Sequence, residues 1–320
     1  MNIEFVNKLN AYGQQRTPFF FVVDYKATHF FAQPLATLDD DILFRFENHA
    51  HYSSKTVQTP IVWSKKPLSK ELYLPKVRRV IEEIKAGNTY LLNLTAPTNV
   101  ECNASLEEIF YATNAAFKLC FKEEFVCFSP ERFVKIENNI IETHPMKGTI
   151  DANIPNAKER ILSDEKEMAE HVMVVDLLRN DLSMVAKNVR VESFRYVESI
   201  HAGDKELLQV SSKITGTLNE SWHDGIGTLL MSILPAGSIT GTPKKKCTEL
   251  IEAIEGYERG FYTGVFGMYD GKSLDSAVMI RFIEKNEEGY LFKSGGGITL
   301  LSDPEKEYKE LCDKVYIPLS

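Results

Sequence analysis

Apolar positions along this chain recur at two different periods, and the switches between them mark out its elements. Alternating or continuous apolar runs predict strands at residues 18–25 (PFFFVVDY) and 42–46. The stretch 1–65 as a whole reads as short strands and loops without recognisable chemistry. Helical spacing follows at 69–86 and stops at Gly87, a residue suited to the position after a helix. Residues 90–100 read as a strand, and 105–117 as a helix whose Ser105 and Glu108 match a capping box. Strands succeed one another over 117–143, with Asn138-Asn139 as a turn. The longest helical stretch is 157–186, strands return over 189–218, and helices are predicted at 222–234 and 243–255. Strands at 262–268, 276–284 and 290–293, joined by Asp270-Gly271 and Glu288-Gly289 turns, lead to a last helix at 304–316. Many hairpins with helices between them, and no repeat or linker, predict an α+β architecture with antiparallel sheets. Residues 1–65 are assigned to an N-terminal portion of the same domain whose main body is 66–320.

Composition narrows the picture. The 320 residues are 43% hydrophobic, enough for a large core. No apolar run approaches the ~20 residues that a bilayer span needs. The N-terminus lacks a basic start followed by an apolar core and a cleavage site. The five cysteines are odd in number and show no CxxC spacing, so reduced, mostly buried thiols and a cytoplasmic location are expected. Lysine and arginine total 37 against 45 aspartates and glutamates, a net charge of −8. No basic stripe exceeds Lys244-Lys245-Lys246, so neither nucleic acid nor a membrane is expected as a partner.

Two predicted helices carry paired carboxylates. Glu167 and Glu170 are three apart and project from one face, with Met168, Val172, Val175 and Leu178 as apolar contacts elsewhere. In the last helix Asp303 is the expected N-cap and Pro304 the first helical residue. Glu307, Glu310 and Lys314 then share a face, apart from an apolar stripe of Tyr308, Leu311 and Val315. Two glutamates from each helix could offer oxygen ligands to a hard cation such as Mg²⁺, provided the helices meet. Spacing alone fits two solvated helix faces as well, with Lys314 simply paired to Glu310.

Lys147 lies in HPMKGT, directly after the strand predicted to end at Thr143. Such turns at sheet ends often display reactive side chains. A lysine amine is a nucleophile once it has lost a proton that it ordinarily holds to pH ~10.4, so its surroundings must tune it. The residue types alone fit a solvated surface lysine equally. Glu131, in Ser-Pro-Glu, can donate a proton if burial keeps it protonated, or it can pair with Arg132. Gly295, Gly296 and Gly297 follow a strand and could form either an anion-binding nest of amides or a plain turn. Arg281 sits inside the apolar run AVMIRF and, if buried, needs a carboxylate from a ligand or from the protein. The segment GSITG at 237–241 precedes a helix but is not a P-loop.

Together these segments resemble the chorismate-binding enzymes, which make aminodeoxychorismate, anthranilate, isochorismate or salicylate from chorismate. The resemblance rests on SPERF (129–133), PMKGT (145–149), EMAEHVMVVDLLRND (167–181), PAGSITGTPK (235–244), GFYTGVFG (260–267) and GGGITLLSDPEKEYKELCDK (295–314). It implies a two-layer antiparallel sheet core flanked by helices, the chorismate-utilising fold. It implies Mg²⁺ on Glu170 and Glu310, supported by Glu167 and Glu307, holding the ring carboxylate with Lys314 nearby. The enolpyruvyl carboxylate would fall to Tyr262, Arg281, Gly295, Gly296 and Gly297. Ser238 would lie nearest the ring, and Gly148 and Thr149 would complete the substrate turn. Glu131 would be the general acid for loss of the 4-hydroxyl.

Lys147 marks the aminodeoxychorismate branch of the family, as a covalent nucleophile where anthranilate synthases carry alanine. Asn93 stands where isochorismate and salicylate synthases carry a water-activating lysine, and an amide cannot act as a base. Gln209 departs from the histidine that relatives usually carry before Val-Ser and that is often linked to anthranilate chemistry; His201 is out of register. The N-terminal portion looks shorter than in longer members, and it contains no Leu-Leu-Glu-Ser, the segment linked to tryptophan feedback in anthranilate synthases. The expected substrates are chorismate and ammonia, the latter from a separate glutamine amidotransferase subunit, since no Cys-His-Glu constellation is recognisable. The alternatives are an anthranilate synthase and a non-catalytic chorismate-binding regulator.

Overall fold

The computed structural model describes every residue except Met1, Asn48, Gln58, Gly203, Asp204, Glu288 and Ser320, and except the side chains of Lys166, Ile200, His201, Ala202 and Lys205. The turn expected at Glu288-Gly289 and the side chain of His201 therefore fall outside the described residues. Contacts gather the chain into two units of three segments each. The first is Met1–Thr37, Glu131–Ser238 and Gly264–Val278, and the second Leu38–Pro130, Ile239–Thr263 and Met279–Ser320. The units do not divide at residue 65. Each holds one nine-stranded sheet with antiparallel pairing, so the fold is α+β.

In the first unit the strands run in the order Met146–Asp151, Lys205–Thr217, Ile140–Thr143, Arg132–Glu137, Leu274–Val278, Val265–Tyr269, Phe19–Val23 and Phe30–Pro34, with Lys187–Ala202 also paired to Lys205–Thr217. Phe19–Val23 is buried at every position, as a strand with neighbours on both edges and cover on both faces should be. The helix Ile3–Gln14 corrects the expectation of strands and loops here. The Asn2 side chain caps it, and it buries Phe5, Val6 and Leu9. Gly13 is needed for packing, since a side chain there would run into the His223 carbonyl. The long helical stretch is two helices, Ala157–Ser163 and Glu165–Ser183, broken at Asp164. Asp164 has extended backbone, and its carboxylate accepts the Glu167 N–H as a new N-cap. On the second helix Val175 and Leu178 are buried, but Met168 and Val172 are exposed, contrary to their expected packing.

In the second unit the order is Gly241–Thr242, Leu91–Cys102, Gly289–Ile298, Phe282–Asn286, Phe125–Ser129, Phe117–Phe121, Ile42–Phe46 and His49–His51, with Trp63–Lys66 also paired to Leu91–Cys102. The helices Lys70–Lys85, Leu106–Ala112, Lys244–Glu255 and Pro304–Asp313 belong to it, and Ser105 and Glu108 form the expected capping box. The predicted strand 276–284 does not exist as one element. Leu274–Val278 belongs to the first sheet and Phe282–Asn286 to the second, with Arg281 between them at φ +50°. Both flanks are buried, so the apolar run is unbroken although the strand is not. No helix among the described residues is long and apolar enough to cross a membrane.

Candidate functional site

Lys147 is placed by a defect in strand pairing. Met146 pairs with Ser211 but Thr149 pairs with Gln209, so three steps on one strand face two on the other. The extra residue is a β-bulge at Lys147-Gly148, with Gly148 at φ +81°. A bulge re-aims the side chain it carries. Here the Lys147 amine lies 3.5 Å from Glu170 Oε2, with the glutamate side chain 8% exposed. A Cβ on Gly148 would come within 3.3 Å of Glu167 Oε2 and 3.4 Å of Ile161. The helical pair Glu167 and Glu170 thus lies over the bulge, while Thr149 is exposed.

Neighbours that sequence reasoning missed hold this corner. His171 is buried, with Nε2 2.6 Å from Ser212 Oγ, which also accepts the Arg195 N–H. Burial and the cationic Arg195 and Lys147 push the His171 imidazole down to about 4. Arg195 donates to the carbonyls of Ile161 and Leu162 and so caps the short helix Ala157–Ser163. His171 directly follows Glu170 in sequence, which was the one available signal. Glu131 stands at the entry to Arg132–Glu137, and the Ser238 hydroxyl donates to its carboxylate, so two expected site residues do meet. Arg132 gives two hydrogen bonds to Asp275, at 2.9 and 3.1 Å.

In the second unit the three glycines form neither the nest nor the plain turn that the sequence left open. They end the strand Gly289–Ile298, with Gly295 opposite Thr95, Gly296 opposite Leu94 and Gly297 opposite Asn93. The neighbouring strand Phe282–Asn286 follows the other edge only as far as Lys293, so the glycines lie beyond that ladder. A Cβ on Gly296 would stand 3.3 Å from Glu310 Oε1, 3.5 Å from Lys314 Nζ and 3.8 Å from Glu307 Oε2. Three charged groups of the last helix region thus converge on a strand face without side chains. Lys314 donates to the Gly295 carbonyl at 2.9 Å and sits 2.7 Å from Glu310. Glu307 is buried and the Glu310 side chain half-exposed.

Arg281 is held in a left-handed conformation, which a non-glycine residue adopts only at a cost. Its guanidinium donates to the Tyr316 hydroxyl and lies 4.7 Å from that ring's centre. No charged partner among the described residues offsets its burial, which pushes its pKa down to about 10. Tyr262 is buried beside Phe282. Asn93 is bound through its backbone, donating to the Thr240 carbonyl and accepting from Arg259 at 2.8 Å. Arg259 forms a buried two-point pair with Glu255 (2.7 and 2.8 Å), and Glu255 also accepts the Thr95 N–H and hydroxyl. This network, absent from the sequence reading, braces the strand opposite the glycines. Its signal was a Glu and an Arg four apart across the end of the helix Lys244–Glu255.

The expected metal ligands fall two in each unit, and no group of three or more His, Cys, Asp or Glu side chains is gathered for a metal among the described residues. The donors that are present fit Mg²⁺ in kind. They are hard carboxylate oxygens, and Mg²⁺ takes only one or two from protein alongside water and substrate. A cavity of about 340 Å³ bordered by Glu137, Glu142, Arg190, Glu192 and Lys213 contains none of the expected site residues, and its Lys213 is already paired with Glu142 and Glu192.

Residues 33–320 match the family described as chorismate binding enzyme. A Haemophilus influenzae protein named "Uncharacterized PabA-like protein" is 47% identical over 316 residues, 98% of this chain and 96% of that one. Anthranilate synthase component 1 of Haloarcula marismortui is 33% identical over 264 residues, 77% of this chain and 52% of its own length. Aminodeoxychorismate synthase component 1 of Escherichia coli is 31% identical over 264 residues, 78% of this chain and 57% of its own. In fold, the chain is similar to the solved MenF, the menaquinone-specific isochorismate synthase of Escherichia coli, with a TM-score of 0.72 over 98% of this chain and 80% of that one at 17% identity.

Proposed function

The chain belongs to the chorismate binding enzyme family, and from that premise we propose that it is an aminodeoxychorismate synthase, converting chorismate and ammonia to 4-amino-4-deoxychorismate and water. Relatives named for anthranilate and for aminodeoxychorismate synthesis match it about equally, so similarity does not choose between them. The observation that carries the choice is Lys147, presented on a bulge against the helix of Glu167 and Glu170.

In this reading the Lys147 amine adds to C2 of chorismate, both ring double bonds shift (C1=C2 to C1=C6 and C5=C6 to C4=C5), and the C4–O bond breaks. Glu131, held by Ser238, gives its proton to the departing hydroxyl, which leaves as water. Ammonia then adds at C4, both double bonds shift back, and Lys147 leaves C2 as a free amine, taking up the proton that the added ammonia gives up. Arg281 with its neutral Tyr316 partner, Tyr262 and the strand Gly295–Gly297 would take the enolpyruvyl carboxylate, and Lys314 would stand by the ring carboxylate. Mg²⁺ on Glu170 and Glu310, supported by Glu167 and Glu307, would supply positive charge to that ring carboxylate. Asn93 offers no base for adding water. A separate glutamine amidotransferase would supply the ammonia.

The adduct gives the test. With chorismate and Mg²⁺ but no ammonia, intact-mass measurement should find the protein heavier by chorismate minus water, and peptide mapping should place the gain on the Lys147 peptide. A Lys147→Ala protein that aminates C4 at the parent rate would remove Lys147 from the mechanism.

A further inference from the structure

The bulge that carries Lys147 is tied to the helix Glu165–Ser183 through Glu170, and not through Glu170 alone. A further tie is the next residue, His171. Its ring is fully buried, and its Nε2 lies 2.6 Å from the hydroxyl of Ser212 on the paired strand Lys205–Thr217. The Ser212 N–H donates to the Pro145 carbonyl at 2.9 Å, two residues before Lys147. A continuous hydrogen-bonded path thus runs from the helix through Ser212 to the segment that enters the bulge. It lies just where the strand register shifts, between the Met146–Ser211 and Thr149–Gln209 pairs.

A second observation sets His171 apart from ordinary packing. Its Nδ1 is buried without a hydrogen-bond partner among the described residues. An unsatisfied buried nitrogen costs stability, and an apolar side chain of similar volume would avoid that cost. Stability alone therefore does not account for a histidine here.

We propose that His171 is a positioning residue for Lys147, which through Ser212 pins the bulge that aims the amine. The inference rests on the reading of Lys147 as the nucleophile. A bulge is locally soft, and moving pairing by one residue turns side chains to the other face of the sheet. Attack requires the amine at about 3–3.5 Å from its carbon, and a displacement of about 1 Å costs roughly 100-fold. Chorismate binding draws on other groups, so loss of the pin should appear in kcat and not in KM.

Two substitutions test this in the full chain. His171→Leu removes the bond to Ser212, whereas the terminal amide of His171→Gln can keep it. His171→Leu should slow adduct formation and amination by roughly 10- to 100-fold, leave KM for chorismate unchanged, and unfold at no lower urea concentration than the parent. His171→Gln should recover most of the rate. Parent-like turnover in His171→Leu overturns the proposal, as does a loss that His171→Gln shares in full or that appears mainly in KM. If His171→Leu does not fold, Ser212→Ala is read the same way, since it keeps the N–H to Pro145 but severs the link to His171. A parent protein that aminates chorismate beside an equally fast His171→Leu sinks this inference alone. A parent that forms neither adduct nor amine sinks the Lys147 reading and this inference with it.

Discussion

One inserted residue gives Lys147 its position, and single residues around it carry the sharpest expectations. Glu131→Gln should lower amination by roughly 100- to 10,000-fold, the usual worth of a general acid, with chorismate still bound; a steady-state assay with ammonium as donor checks it. Gly295→Ala would press its methyl to 2.5 Å from the Leu94 carbonyl and the Thr95 side chain, which the paired strand cannot yield. For Gly296→Ala the nearest atoms are the flexible ends of Glu310, Lys314 and Glu307. Gly295→Ala should therefore lower the urea midpoint clearly, whereas Gly296→Ala should mainly weaken chorismate binding. Equal urea midpoints for the two would contradict that division. Lys147 and the two glutamate pairs were legible as residue types at set spacing. The bulge was not, because register depends on a partner strand 60 residues downstream. Ser212 was not legible for the same reason, and His171 was marked only by its place beside Glu170.

Ion pairs hold the elements in place, and the buried ones matter most. Glu255 and Arg259 are almost fully buried, so Glu255→Ala takes its two-point carboxylate partner from the guanidinium under the strand opposite the glycines. It should cost about 3–5 kcal/mol in urea unfolding. Glu142, on the strand Ile140–Thr143, is pulled down to about 2 by hydrogen bonds from His144 and, against burial, from Lys213. Its folded value lies below its unfolded one, so its contribution is complete above pH ~4.5 and is lost as pH falls through about 2. Unfolding curves between pH 5 and 2 should be flatter for Glu142→Gln by up to ~3 kcal/mol. Most helices and strands were readable from apolar period. The helix Ile3–Gln14 was obscured by its asparagines and glycine, which lower helix propensity. The change of sheet at Arg281 was hidden because a continuous apolar run reads the same in one strand or two.

The antiparallel α+β class was legible from hairpins alternating with helices, but the two three-segment units were not, since distant segments assemble each. Activity should require Mg²⁺ and collapse in Glu170→Gln or Glu310→Gln; full turnover in excess chelator would remove the metal from the account. Glutamine should serve as donor only when a glutamine amidotransferase is added, whereas ammonium should suffice alone. The most direct test of the central claim is the product made from chorismate, Mg²⁺ and ammonium, identified by mass and by a coupled lactate dehydrogenase assay for pyruvate. The expected product is 4-amino-4-deoxychorismate, with the enolpyruvyl group retained and no pyruvate released. Anthranilate with stoichiometric pyruvate, or isochorismate formed from water, would contradict it.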